Sequence, residues 1–119
     1  MEKINLREKF SLFNDYWNPR IIGELNGQDV KLVKVRGEFV WHDHKNEDEL
    51  FLIIKGKLKI EFRDRIVELS EGEMIIIPHG VEHKPFADEE VHMMLFEPKS
   101  TINTGEVRNE NTRDELEFI

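Results

Sequence analysis

A chain of 119 residues and 14.2 kDa has room for one domain of ordinary size and no second catalytic module. The absence of cysteine excludes disulfide frameworks, thiolate-bound zinc or iron–sulfur sites and thiol nucleophiles. A net charge of −8, from 17 basic and 25 acidic residues, argues against a nucleic-acid or anionic-membrane footprint.

The chain begins with Met1-Glu-Lys-Ile-Asn-Leu-Arg-Glu-Lys, which lacks the apolar run of a signal peptide. The longest apolar runs, Leu50 to Ile54 and Met74 to Pro78, are far too short to cross a bilayer as helices, so a cytoplasmic protein is expected. Residues 4–13 carry apolar groups at 6, 10 and 13, the stripe of a short helix packed on the body of the protein.

Through the middle of the chain, turn residues recur every eight positions: Gly56, Asp64, Gly72, Gly80 and Asp88. Short segments rich in Ile, Val, Leu and Phe between such turns predict antiparallel strands near 30–36, 38–43, 49–55, 57–63, 65–69, 73–77, 81–86 and 91–97. Helix is disfavoured there, because Pro78 and Pro85 interrupt the region and residues 57–62 alternate with period two. That alternation puts Leu58, Ile60 and Phe62 on a dry face and Lys57, Lys59 and Glu61 on a wet one. Leu50 to Ile54 is apolar at every position, so both faces of that strand need cover, either from the chain's own termini or from a second copy in a homodimer. Residues 99–115 are polar and read as a loop or extended arm, whereas Leu116, Phe118 and Ile119 are apolar enough to dock.

The chemistry lies in the histidines at 42, 44, 79, 83 and 92. His42 and His44 leave the same face of an extended stretch, as two ligands of one metal must. The turn-prone tetrad Lys45-Asn-Glu-Asp48 lets the chain bend and restart with Glu49, Phe51 and Ile53 facing inward. His83 follows the Pro78-His79-Gly80 turn on a later strand. Three imidazoles and one carboxylate suit a divalent transition metal, Fe, Mn, Zn, Ni or Cu. His79 and His92 are expected at the surface or behind the ligands, and Trp41, next to His42, points away from the metal.

The run from Gly37 through His42, His44 and Glu49 to Gly56 resembles the first motif of the cupin superfamily, and the run from Gly72 through Pro78 and Gly80 to His83 resembles the second. Two positions depart from the pattern: four residues separate Gly37 from His42 where five are usual, and Ala87 replaces an asparagine. The resemblance implies an all-β fold, a single jelly-roll-like antiparallel barrel over about 20–97, with a short N-terminal helix at 4–13 and a C-terminal arm from 99 to 119. It also implies that His42, His44, Glu49 and His83 hold one divalent metal. The superfamily includes dioxygenases, decarboxylases, isomerases and epimerases as well as sugar-binding and storage proteins. The expected function is metal-dependent oxygenation or isomerisation of a small oxygenated or anionic metabolite, the alternative being a non-catalytic sugar-like binding or sensing module. No general acid or base declares itself. Fifteen residues between Gly56 and Gly72 leave no room for an inserted lid, which predicts a compact, relatively open pocket.

Overall fold

The computed structural model describes residues 1–119. A five-residue helix, α1 (Leu6–Phe10), precedes seven strands: β1 (Arg20–Leu25), β2 (Gln28–Glu38), β3 (Glu49–Lys55), β4 (Leu58–Glu61), β5 (Ile66–Leu69), β6 (Met74–Ile77) and β7 (Lys84–Pro98). Neighbours follow the order β1-β2-β7-β3-β6, and the β4–β5 hairpin joins through β4 to β7, every pair antiparallel. This is the all-β cupin architecture with its N-terminal helix.

The 15-residue β7 is the spine. Its first residues pair with β4 and the end of β2, and its later part lies between β2 and β3. The two strands expected at 81–86 and 91–97 are therefore one: Asp88, Glu89 and Glu90 form an exposed bulge in β7, three residues opposite the single Arg36 of β2, not a chain-reversing turn. The strand expected at 38–43 is absent. β2 runs to Glu38 and the chain then turns irregular, leaving His42 in one isolated bridge with His83. The hairpin strand β1, not anticipated, pairs with β2 through the Asn26-Gly27 turn, where both residues have positive φ, as a tight hairpin requires.

The alternation read in β4 is realised: Leu58 and Ile60 are fully buried and Lys59 and Glu61 are half-buried on the other side. Each such aliphatic side chain removed from water contributes about 1.5–3 kcal/mol. In β3, Glu49, Phe51 and Ile53 face the interior, and Leu50, Leu52 and Ile54 face outward and are half-buried. The chain's own ends cover part of that outer face: Ile54, Met94 and Ile119 pack against a cluster of Phe10, Phe13 and Leu32. The C-terminus docks by two backbone hydrogen bonds to Ile21, Ile21 N–H to Glu117 O at 2.9 Å and Ile119 N–H to Ile21 O at 3.1 Å. Beyond this cover, Met74 and Ile76 on β6 remain 49% and 57% exposed.

Residues 99–115 are held by their own polar side chains. Thr104 Oγ1 donates to Val107 O, Asn103 Nδ2 donates to Asn111 O and Asn103 Oδ1 accepts from Arg113 N–H, at 2.7, 2.7 and 2.9 Å. The Asn and Thr content that reads as loop is what closes this segment on itself.

Candidate metal centre

Two loops and a strand start bring four side chains together at one end of the barrel. His42 and His83 exchange backbone hydrogen bonds of 3.0 and 2.9 Å, which sets their rings 4.3 Å apart. The carbonyl of His44 accepts from Gly80 N–H at 2.8 Å, and Asp48 Oδ1 accepts from His79 N–H at 2.8 Å, so the Pro78-His79-Gly80 turn is fastened to the 42–48 loop. Glu49 opens β3 opposite Ile77. One potential ligand atom from each of His42, His44, Glu49 and His83 lies within 4.8 Å of the others, and all four residues are buried.

The histidines are pre-set for ligation. A carbonyl can only accept, so His42 Nδ1 donates to Val40 O and His83 Nδ1 to Val81 O, each at 2.8 Å. In the neutral ring the Nε2 lone pair is then the free one, the tautomer fixing that metal-ligating imidazoles use. Burial first, then the neighbouring charge of His83, lowers His42 from 6.5 to about 4, so its ring is neutral at ordinary pH. Burial alone would push the Glu49 carboxyl up; close contacts from His44 and His83 outweigh it and hold the group well below the usual carboxylate range.

These residues fit a cation. His44 Nε2 lies 3.0 Å and His83 Nε2 3.3 Å from Glu49 Oε1, yet none of the three atoms has a hydrogen bond of acceptable geometry, and His44 Nδ1 is unpartnered too. Lone pairs facing one another across a dry gap are costly unless a positive charge lies between them. Three imidazoles and a carboxylate are a donor set for a borderline divalent ion, and such an ion would meet that need.

Beside the cluster lies a cavity of about 40 Å³, room for roughly three waters. Val33, Val35, Phe51, Met93 and Leu95 supply its apolar wall, with Trp17, Pro19, Phe39 and Pro85. Its polar groups are His42, Glu49, Glu97 and Asn103. Glu97 and Lys31 were not foreseen. Both are fully buried and joined by a 2.7 Å ion pair, and burial followed by the charge of Glu49 holds the Glu97 carboxyl well above its usual range, with Lys31 acting against the rise. Period two could have found them, since 31, 33 and 35 on β2 and 91, 93, 95 and 97 on β7 share the inward face. Trp17 and Asn103 lie in irregular segments, where no periodicity marks them.

The other singled-out side chains stand apart. His79 is exposed and contacts Asp48 at 2.9 Å; His92, on the outer face of β7, stacks on Phe10 at 4.6 Å and contacts Glu90 at 2.7 Å. Trp41 turns away from the cluster and lies under the Arg63 guanidinium, 3.8 Å from the ring centre.

An antiparallel barrel carrying a buried His/His/Glu/His cluster defines a protein of the cupin class with a site suited to a metal. The Cupin domain family model matches residues 30–97, and the chain belongs to that family. Among solved structures, the chain is 55% identical to a cupin-2 domain containing protein from Shewanella frigidimarina, with a TM-score of 0.80 over 81% of this chain and 94% of that one. Protein NMB1881 from Neisseria meningitidis is 31% identical, with a TM-score of 0.75 over 82% and 100% of the two chains. Among curated proteins, the uncharacterized protein YdbB of Bacillus subtilis is 38% identical over 53% of this chain and 57% of its own. An acireductone dioxygenase of Phaeosphaeria nodorum is 35% identical over 70% of this chain and 53% of its own. The chain thus spans a little over half the length of these curated relatives.

Proposed function

We propose that the protein is a metal-dependent enzyme that oxygenates or isomerises a small oxygenated or anionic metabolite at the His42, His44, Glu49 and His83 centre. The observation that carries this is the buried set of unpartnered lone pairs on His44, Glu49 and His83. A bound divalent ion would supply Lewis acidity and open positions for a chelating substrate or O₂. The chain's own residues hold the His42 and His83 imidazoles in one tautomer through Val40 O and Val81 O, and the apolar walls keep bulk water from the reacting group. The likeness to a dioxygenase favours oxygenation over isomerisation.

Metal analysis by mass spectrometry on untagged protein tests the reading. Stoichiometric metal in the wild type and its loss in His42→Ala are expected; an equal content in both would overturn it. Iron with O₂ consumption in the presence of a chelating substrate marks oxygenation. Zinc or manganese with solvent proton exchange and no O₂ use marks isomerisation. The small cavity favours a second reading, a non-catalytic binding or sensing module, for which tight ligand retention without turnover is the signature. A homodimer through the outer face of β3 and β6 would cover Met74 and Ile76, which the termini leave open.

A further inference from the structure

The cavity beside the cluster is narrowed by a residue from outside the barrel. Trp17 lies in the irregular stretch between α1 and β1. β1 pairs with β2 no further than Arg20 opposite Leu32, and Trp17 takes over the next stretch of that edge. Its backbone N–H donates to Lys34 O at 2.9 Å and its indole Nε1 donates to Arg36 O at 3.0 Å. Its φ is +60°, a strained region for a bulky residue that persists only where surrounding contacts enforce it. The residue is 9% exposed, and its ring stacks on Phe39 with centroids 4.6 Å apart and planes 20° apart. Phe39 in turn meets the His42 ring edge-on at 5.4 Å. Indole, phenyl and ligand imidazole thus form a continuous wall on the cavity, and two hydrogen bonds to alternate β2 carbonyls fix the outermost member.

We infer that Trp17 is the size-determining residue of this site: it confines the ligand to a compact molecule with oxygen donors for the metal and a small apolar body. This rests on the metal reading above. Trp17 lines the cavity and stacks on Phe39 but is not one of the clustered donor residues; it acts by occupying volume, so its effect is on which ligand enters and not on whether metal is held.

Cobalt(II)-loaded protein separates the two ideas, with acetohydroxamate and benzohydroxamate as probes that share a chelating head and differ in body. Cobalt content is measured first; equal content in wild type and His44→Ala would defeat the metal reading on its own. Dissociation constants are then taken from the visible cobalt spectrum for wild type, Trp17→Leu and Trp17→Phe. Trp17→Phe keeps an aromatic on Phe39 and guards against loss of fold. The wild type is expected to favour the small probe, and Trp17→Leu to shift the ratio toward benzohydroxamate on the order of tenfold or more, with Trp17→Phe between them and cobalt content unchanged. The same ratio in all three fully loaded proteins would overturn the size filter while leaving the metal centre standing.

Discussion

Gly105→Ala should damage the metal centre from outside the barrel. Gly105 has φ +61°, and a Cβ built on it would lie 2.0 Å from the carbonyl oxygen of Asp43, the residue between His42 and His44. Two costs add. An L-residue in the left-handed region loses roughly 1–2 kcal/mol. Relieving the clash needs a backbone shift of about 1 Å, an overpacking that costs a further 1–3 kcal/mol or so. Total destabilisation of about 2–5 kcal/mol corresponds to a Tm drop on the order of 10–20 °C for a domain of this size. Because the atom that must yield is in the ligand loop, metal affinity should fall about 10–100-fold as well. Gly27→Ala is the control: φ is +78° but nothing lies within 4 Å of its Cβ, so it carries the backbone cost alone. Urea unfolding of the metal-free proteins and chelator-competition titrations with zinc give the two readouts. If Gly105→Ala matches Gly27→Ala in both, the 99–115 segment does not brace the ligand loop and the reasoning fails.

The depressed His42 sets a pH dependence in metal-free protein. Its folded value of about 4 lies below the unfolded 6.5, so the unfolded chain binds more protons between them; stability is full above pH 6.5 and falls by about 3 kcal/mol on the way to pH 4. Urea midpoints should show this slope, and His42→Gln should flatten it; an unchanged slope would remove the assignment. The buried pair gives another case. Lys31→Met removes the cation that opposes the rise of the Glu97 carboxyl, leaving that group neutral and short of a partner in a dry site, and should cost about 1–3 kcal/mol, whereas Lys31→Met with Glu97→Leu should recover most of that loss. Equal losses in the single and double variants would show that the pair is not coupled. Ile76→Lys places a charge on the open face of β6 and should convert the proposed dimer to monomer in sedimentation velocity; a monomeric wild type would defeat the dimer.

The sequence made the ligand cluster legible because its cause is local. Two histidines at i and i+2, a turn-prone tetrad and a Pro-x-Gly turn each act over a few residues, and the structure brings their side chains within 4.8 Å. What escaped was decided by contacts between distant segments. A charged triplet at 88–90 reads as a turn, but pairing with β2 on both sides of a bulge keeps β7 continuous through it. Residues 38–43 look like a strand, yet past Glu38 and one backbone hydrogen bond from Phe39 to Pro85 only His42 finds a partner, in a single bridge with His83. The expected openness of the pocket followed from the short Gly56–Gly72 connection, whereas the cavity of about 40 Å³ is set by residues outside that connection.

Those residues divide the labour of the site. The family match covers 30–97 and contains all four candidate ligands, together with Lys31, Glu97 and the inner apolar wall. Trp17 and Pro19 precede it, and Asn103 and Gly105 follow it. The shared barrel therefore accounts for a centre suited to a metal, whereas the segments before β1 and after β7 trim the space beside it and brace the loop that carries two of the ligands. A change of ligand between related barrels then needs no change in the ligand set: replacing one indole before β1, or one close backbone approach after β7, alters what fits next to an unchanged cluster. Grafting residues 14–19 and 99–115 from a relative with a larger cavity should accordingly move probe selectivity while metal content stays constant, and a graft that moved metal content alone would contradict this division.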